Sequence, residues 1–314
     1  MARFIVVRLV NSIPVLLIVS LVSFSIMQMV PGDPASIMAG PQATPREVEE
    51  MRQALGLNKP FLDQLLIWYG NLLQGDLGRS ILLGRSVGQA IGERLGITLA
   101  LAFFGFAITL AIAVPAGVFA ALKQNSWADQ LVMTLALAGV SLPNFWLGLM
   151  LIVLFSVVLE LLPAGGYVPI ADGLWPWFAS LILPSFSLAL LQVGLLARIT
   201  RSAMLEVLRQ DYIRTARAKG LARVFVVGKH ALKNALVPVI TVVGIIFSLL
   251  LSGSVVIETV YSLPGLGRLL ATSILSRDYP VIQGGLLVTA AMFVFVNLAV
   301  DVLYALIDPR LREG

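Results

Sequence analysis

Long apolar stretches separated by short polar segments dominate the pattern along this chain of 314 residues. A helix needs about 20 apolar residues to span a bilayer, and six stretches without a charged residue reach that length. They are residues 9–30, 95–122, 131–159, 177–197, 235–257 and 281–300. The pattern therefore predicts an all-α integral membrane protein with six transmembrane helices.

Composition supports this class of protein. Hydrophobic residues make up 58% of the chain and charged residues only 12%, whereas soluble domains carry about 25% charged residues. The net charge of +5 would suggest nucleic acid in a soluble protein, but in a membrane protein it indicates the cytoplasmic side, and no nucleic-acid partner is expected. With no cysteine and one histidine, no thiolate or histidine-rich metal site is predicted.

The distribution of Lys and Arg predicts the orientation of the spans. If the N-terminus is inside, the inner segments hold 14 of these residues and the short outer loops only Arg268 and Arg277. The long segment 31–94 holds six, but long loops cross largely regardless of their charge. Both termini are therefore expected in the cytoplasm. The first apolar stretch has 22 residues, beyond the 7–15 of a signal peptide, which predicts an uncleaved first span.

The outer segment 31–94 has helical signals of its own. It opens with the turn sequence PGDP, and Thr44 followed by Pro45 and Glu47 has the pattern of a capping box with proline at the first helical position. This pattern predicts a helix that runs to about residue 55, where Gly56 ends it.

A second outer helix is predicted from near Pro60 to Gly75, with a wide apolar face that includes Trp68 and Tyr69. Aromatic residues of this kind favour the membrane interface. Two interpretations remain open for the outer segment: a small structural cap, or a docking surface for an external partner.

Three prolines lie inside predicted spans, at Pro115, Pro143 and Pro184. Each removes a backbone donor, which is tolerated where protein or a water-filled cavity satisfies the freed carbonyl. Pro143, Asn144 and Phe145, in the sequence SLPNFW, are candidates for lining a pathway. A simple packing kink is the alternative.

Motifs for chemistry are missing from the sequence. The pair Gly228-Lys229 is followed by His230 and lacks the glycine of a phosphate-binding loop. No motif of a metalloprotease or serine hydrolase occurs, so no catalytic residue is predicted. The acids closest to the spans, Glu258 and Asp301, lie at span ends, whereas ion-coupled carriers keep ionisable groups at membrane depth. Transport by this chain would therefore need energy from elsewhere.

Positive charge is concentrated in one loop, residues 198–234, which holds nine of the 22 Lys and Arg residues. The pattern predicts a short helix from Tyr212 to Lys219, capped by Asp211 and ended by Gly220, with Pro238 in the first turn of the next span. Its arginines could bind acidic or carbonyl groups of a protein, or anionic lipid headgroups as a positive-inside anchor. Charge alone does not separate these two interpretations.

The sequence TARAKG, followed by ALVP, resembles the cytoplasmic EAA signature of the membrane subunits of bacterial ABC importers. The chain is most similar to the first permease subunit of the dipeptide, oligopeptide and nickel branch. Motifs in family order carry this resemblance from end to end: RLVNSIPVLLIVSLVSFSIMQMVPGDP, LGLNKPFLDQLLIWYGNLLQGDLGRS, SLPNFWLGLMLI, RQDYIRTARAKGL, HALKNALVPVIT, VIETVYSLPGLGRLL, RDYPVIQG and DVLYALIDPRLR. Thr215 replaces the leading glutamate of the general motif, and the distance from Gly220 to Pro238 is longer, as is usual in this branch.

The resemblance implies a type I ABC importer permease fold in the bacterial inner membrane. The domains it implies are the N-terminus with the first span at 1–30, an extracytoplasmic helical segment at 31–94, a five-helix core at 95–307 and a cytoplasmic tail at 308–314. It also implies that the short helix couples the permease to an ATPase subunit. The implied coupling residues are Asp211, Tyr212, Ile213, Arg214, Thr215, Ala216, Arg217, Ala218, Lys219, Gly220 and Leu221.

The resemblance further implies the partners. They are a homologous second permease, two cytoplasmic ATPase subunits that bind ATP and Mg²⁺, and an extracytoplasmic substrate-binding protein. The chain itself is expected to contact membrane lipid and to bind no cofactor, and Glu258 joins residues 143–145 as a candidate for the pathway or its gate. Expected cargo is di- or oligopeptide, with nickel, glutathione, opines or oligosaccharides as alternatives. Rival classes are a stand-alone secondary carrier or channel, and a membrane-embedded enzyme or lipid-binding scaffold.

Overall fold

A computed structural model of the chain describes residues 2–29, 33–40, 42–54 and 56–307. Apart from an isolated bridge between Arg79 and Ser86, every regular element in these ranges is helical, which confirms the all-α prediction. The α-helices are α1 (Ala2–Met29), α2 (Pro34–Ala39), α3 (Pro45–Ala54), α4 (Phe61–Leu73), α5 (Val87–Leu122), α6 (Trp127–Ser141), α7 (Asn144–Ile152), α8 (Leu174–Leu208), α9 (Asp211–Ala218), α10 (Arg223–Phe225), α11 (Lys233–Val260), α12 (Leu266–Ser276) and α13 (Tyr279–Ile307). The tail predicted at 308–314 lies outside the described residues.

Five helical segments in the described part of the chain are long and apolar enough to cross a membrane. Four lie in α1, α5, α8 and α13, and the fifth runs from Arg223 to Val260 through α10, a π-helical segment (Val226–Leu232) and α11. A sixth span results if α6 is taken together with the segment from Asn144 to Val158. Length and composition therefore match the six predicted spans.

The third predicted span is not one straight helix. Its two halves, α6 and α7 with the π-helical continuation Val153–Val158, are bent by 103° relative to each other. The break falls at Leu142, which is extended (φ −90°, ψ 133°), and at Pro143. A residue before proline is pushed out of the helical region, and proline has no N–H to continue the ladder. These two effects explain why residues 131–159 do not form a continuous helix.

The chain divides into two compact units. One contains the described residues up to Leu95 together with Leu269–Leu298, and the other contains Gly96–Arg268 and the described residues from Ala299 onward.

In the first unit the predicted outer helices are present. Thr44 N donates to the Glu47 carboxylate (2.7 Å) and Glu47 N points at Thr44 Oγ1 (3.4 Å), which confirms the capping box of α3. Gly56 and Gly75 both have positive φ, +68° and +78°. Helix α4 packs on α1, since Tyr69 and Ser20 share a hydrogen bond of 2.7 Å. Its aromatic residues therefore serve as packing surface for α1.

Helix α8 is the centre of the second unit. It contacts α6, α7 and α11. Of its most apolar 18 residues, 61% are buried, against 6% for the corresponding stretches of α1 and α13. Close approach depends on small residues. A methyl group on Gly194 would meet the backbone of Ala136 in α6, and one on Gly117 in α5 would meet the backbone of Ala197. These backbone contacts hold α5 and α6 tightly on α8.

Candidate functional site

Helix α9 follows α8 after a connection of two residues, Arg209 and Gln210. The prediction that Asp211 caps this helix is wrong: Gln210 occupies the cap position without a side-chain hydrogen bond, and Asp211 is the first helical residue. The main chain of Asp211 is already helical, and its carbonyl accepts a hydrogen bond from Thr215 Oγ1 (3.0 Å). Its carboxylate lies 3.4 Å from Arg214 NH1, with both side chains largely exposed.

One face of α9 packs against its own unit. Ile213 is completely buried and Ala216 is 9% exposed, and a spacing of three residues places both on the same side of a helix. Tyr212 is half-exposed, and its hydroxyl accepts a hydrogen bond from Asn234 Nδ2 (2.8 Å) at the start of α11. The small Ala216 thus allows close approach to the core of its own unit, whereas Ala218 lies on the exposed side.

Gly220 ends this helical turn as predicted. Its φ is +79°, its N–H donates to the Arg217 carbonyl (3.0 Å), and Leu221 N reaches back to the Ala216 carbonyl (3.4 Å). No atom lies within 4 Å of a methyl group built on Gly220. Glycine is therefore favoured here by backbone conformation and not by crowding.

The helix after this loop begins earlier than predicted. Pro238 lies inside α11 and not in the first turn of the span, because the chain is helical from Arg223 through the π-helical segment into α11. Val226 and Ala231 are buried against the core of the unit. Their packing makes this stretch helical in spite of its polar neighbours Lys229 and Lys233.

Three arginines line one cavity beside α9. Arg209, Arg217 and Arg223 surround a space of about 580 Å³ together with Gln124, and its remaining lining is apolar: Ala121, Leu122, Leu205, Leu208 and Leu221. The sequence analysis counted all three arginines in the basic loop and named only Arg217 as a coupling residue. It gave no sign that Arg209 and Arg223 would meet Arg217, which depends on α9 lying beside the ends of α5 and α8.

A buried ion pair joins α6 to α8. Arg201 donates to Asp129 through Nε and NH2, both at 2.6 Å, and Asn125 N donates to the same carboxylate at 2.9 Å. Asp129 is only 3% exposed. Sequence reasoning missed this pair because the apolar stretches begin after Asp129 and end before Arg201, so both residues were assigned to loops.

Glu258 occupies a second buried polar contact, at the C-terminal end of α11. It is fully buried, accepts from Thr98 Oγ1 (2.6 Å) and from the backbone N of Arg268 (2.8 Å), and Thr98 Oγ1 in turn accepts from Leu266 N (2.8 Å). A methyl group on Gly265 or Gly267 would collide with the Glu258 carboxylate. The glycines of the sequence PGLGR thus let the backbone approach the carboxylate closely.

The candidate pathway residues lie together at the broken span. Pro143, Asn144 and Phe145 line a cavity of about 360 Å³. The remaining lining consists of Val140, Ser141, Leu142, Leu191, Gly253 and Val256. Glu258 lies five residues beyond Gly253 on α11 but is buried in its own contact. Within the described residues, no group of three His, Cys, Asp or Glu side chains has the arrangement of a metal site.

The fold is that of a multi-span helical membrane protein, and comparison with known proteins identifies its family. The chain belongs to the family of binding-protein-dependent transport system inner membrane components. The family pattern matches residues 113–313, and the pattern of its N-terminal part matches residues 1–102. The chain is therefore a multi-pass inner-membrane transport subunit.

Several relatives match almost end to end. A Brucella abortus protein named as a permease of a peptide transport system is 53% identical over 312 residues, 99% of both chains. The glutathione transport system permease protein GsiC of Escherichia coli is 44% identical, again over 99% of both chains. The dipeptide transport system permease protein DppB of Alkalihalophilus pseudofirmus is 44% identical over 97% of this chain and 98% of its own.

Solved structures show the same fold. The MetNI methionine ABC transporter in an inward-facing conformation matches with a TM-score of 0.59 at 19% identity, over 70% of this chain and 97% of the matched chain. The predicted type I importer permease fold is therefore confirmed.

Proposed function

We propose that this chain is the membrane subunit of an ABC importer of di- or oligopeptides and that residues 211–221 couple it to a cytoplasmic ATPase. The observation that carries the proposal is α9 itself. It is anchored to the permease through Ile213 and Ala216, presents Arg214 and Lys219 to solvent, and ends at Gly220 in a backbone conformation that favours glycine. A segment fixed on one face and exposed on the other suits the transfer of motion between two proteins.

Peptide is the proposed cargo because relatives at 44–53% identity are named for peptide, dipeptide and glutathione transport. Glutathione is itself a tripeptide, so these names share one chemical class. Nickel, opines and oligosaccharides become alternatives if peptides fail to be transported. In this proposal a second permease completes the pathway, an external binding protein delivers the cargo, and ATP with Mg²⁺ binds to two partner ATPases.

The proposed pathway passes the cavity at the bend between α6 and α7, where Pro143, Asn144 and Phe145 lie. A break in a membrane helix leaves carbonyl groups without an intrahelical donor, and such groups suit a lining that contacts a polar cargo. Glu258 acts in this proposal through the turn at 264–268, whose backbone it holds in place. It would position the gate without touching cargo.

The proposed topology places both termini in the cytoplasm and residues 31–94 outside. A Thr44→Cys variant tests it, because the chain has no cysteine of its own and Thr44 lies at the exposed start of α3. An impermeant thiol reagent should label this variant on intact spheroplasts. Labelling only after lysis would reverse the orientation.

Co-purification combined with uptake tests the proposed function as a whole. The chain, extracted from its native membrane in mild detergent, should bring with it a second multi-span protein and subunits with a phosphate-binding loop. In liposomes, the assembled complex should take up labelled dipeptide only when ATP is present on the side of the membrane where the ATPases lie. Uptake by this chain alone, without ATP, would instead indicate a stand-alone carrier.

A further inference from the structure

The cavity lined by Arg209, Arg217 and Arg223 has an unusual combination of charge and apolar surface. Among the described residues, no carboxylate forms an ion pair with any of the three. Two neighbouring arginines, Arg201 and Arg214, do have such partners. No acidic residue lines the cavity either. Three arginine residues therefore line one space of about 580 Å³ without an internal counter-charge.

Hydrogen-bonding capacity also remains available there. Arg223 donates to the Leu122 carbonyl at the end of α5, at 3.4 Å. A guanidinium carries five N–H donors in a planar fork that matches phosphate. Since Arg209 and Arg217 are exposed and have no ion-pair partner in the described chain, most donors of the cluster can bind an anion that enters the cavity.

The apolar part of the lining indicates what kind of anion fits. Five of the nine lining residues are Ala or Leu, from the ends of α5 and α8 and from the turn after α9. A free phosphate ion would gain nothing from these side chains. A phospholipid would, because its phosphate can meet the arginines while its glycerol and first methylene groups contact the leucines.

The length of α5 would bring the cavity to the depth where lipid phosphates are found. The apolar stretch 95–122 of α5 is about 42 Å long at 1.5 Å per residue, which matches the ~40–45 Å thickness of a bilayer with its headgroups. Leu122, at its end, lines the cavity. A span of this length that crosses the whole bilayer would bring Leu122 level with the headgroups of one leaflet.

We propose that Arg209, Arg217 and Arg223 form a binding site for the headgroup of one anionic phospholipid, such as phosphatidylglycerol, beside α9. Because Arg217 lies on α9 and Arg209 in its connection to α8, a bound lipid would hold this loop against the membrane surface. The cytoplasmic side of this leaflet follows only from the proposed function, but lipid binding by the isolated chain does not depend on it. The second interpretation of the basic loop, a lipid anchor, would then apply to Arg209, Arg217 and Arg223, and Arg217 would belong both to this lipid site and to the proposed coupling segment.

Native mass spectrometry of the full-length chain in mild detergent tests this site. The chain is titrated with short-chain phosphatidylglycerol, with the matching phosphatidylcholine, and with glycerol 3-phosphate. Phosphatidylglycerol should bind at least about tenfold more tightly than phosphatidylcholine, since each basic residue near anionic lipid contributes favourably. Glycerol 3-phosphate should bind more weakly than phosphatidylglycerol because it cannot use the apolar lining.

Matched variants then locate the binding. R209Q/R217Q/R223Q should lose at least about tenfold in affinity for phosphatidylglycerol, while R209K/R217K/R223K keeps most of the attraction and K229Q, an exposed charge outside the cavity, leaves it unchanged. If the triple glutamine variant fails to fold, each single glutamine variant should still show a smaller loss.

Three results would overturn the proposal: equal affinity for the two lipids, unchanged binding by the glutamine variants, or glycerol 3-phosphate binding as tightly as phosphatidylglycerol. The last would indicate a soluble phosphate compound as the ligand. None of these results depends on ATPase or cargo, so each would leave the importer assignment intact. Conversely, failure of peptide uptake would leave the lipid site standing.

Discussion

The polar groups at the two ends of α11 are arranged in opposite ways. At its C-terminal end, Glu258 is fully buried and accepts hydrogen bonds from Thr98 and from the backbone of Arg268. Near its N-terminal end, α9 carries exposed charges, and its strongest ion pair, between Asp211 and Arg214, is long and open to solvent. Both regions belong to the same unit, so the contrast concerns two parts of one packed structure.

The buried contact at the C-terminal end of α11 suits a rigid arrangement, and the exposed charges of α9 suit recognition of another molecule. Buried polar groups with good partners specify one arrangement of the helices, and removing a partner is costly. Exposed charges contribute little to folding but remain available to another molecule. If the contrast is correct, substitutions in the buried contacts should mainly lower stability. Substitutions in α9 should mainly lower transport and leave stability nearly unchanged.

The largest effect on stability is expected for Glu258→Ala. It removes the acceptor of Thr98 Oγ1 and of the Arg268 N–H, and each buried donor without a partner costs about 1–3 kcal/mol, so a loss of about 2–6 kcal/mol in the free energy of unfolding is expected. Thermal melting and size-exclusion chromatography in detergent measure it. Glu258→Gln keeps an acceptor oxygen and should lose clearly less. A melting temperature equal to that of the wild type would contradict the structural role of Glu258.

A smaller loss is expected for Arg201→Lys. Lysine keeps the charge but cannot make the two parallel bonds to Asp129. We expect the free energy of unfolding to fall by about 1–3 kcal/mol. This is below the ~3–5 kcal/mol for removing one partner of a fully buried pair, because the Arg201 side chain is 24% exposed. Arg198→Lys, three residues earlier and exposed, is the matched control for melting measurements. Equal melting of both variants would mean that the pair does not fasten α6 to α8.

These two buried contacts also mark the limit of prediction from the sequence. The capping box of α3 and the left-handed Gly220 were predicted correctly because each depends on residues within a few positions of one another. Asp129 and Arg201 are 72 residues apart, and Thr98 and Glu258 are 160 apart. Hydropathy along the chain carries no information about which polar groups meet across the bundle.

The break in the third span depends both on neighbouring residues and on contacts between distant ones. Pro143 identified it as a place where a helix is interrupted, which is a local effect. Whether the interruption becomes a slight kink or a bend of 103° depends on how both halves pack, here on α8. Likewise the start of the fifth helical segment could not be inferred from Pro238, because burial of Val226 and Ala231 extends the helix toward Arg223.

Gly220→Val should affect transport more than stability. A β-branched residue in the left-handed region costs about 1–2 kcal/mol, and nothing crowds the site, so the chain should still insert and fold. ATP-driven uptake should fall by more than about tenfold, because the end of α9 is redirected. Gly228→Val is the matched control, since that glycine also has open space around it but no positive φ.

Asparagine tolerates positive φ better than other residues, so Gly220→Asn should recover part of the uptake. Wild-type uptake by Gly220→Val would show that the left-handed turn has no part in coupling.

The smallest effect on stability is expected for Arg214→Glu. The Asp211–Arg214 pair is 3.4 Å long with side chains 95% and 74% exposed, so its loss should leave the melting temperature unchanged. Association with the ATPase should weaken, measured by co-purification at low and high salt. Lys229→Glu, with the same charge change outside α9, is the control. Equal co-purification of both variants would indicate that Arg214 serves topology alone.

The two-residue connection between α8 and α9 has a mechanical consequence. Arg209 and Gln210 leave almost no slack, so a displacement of α9 by a few ångströms must reach the end of α8. Each added residue could lengthen the connection by up to about 3.5 Å. The length of this connection would then decide how much of a displacement of α9 reaches α8. Inserting one, two or three glycines should make the connection progressively looser and pass on progressively less of that displacement.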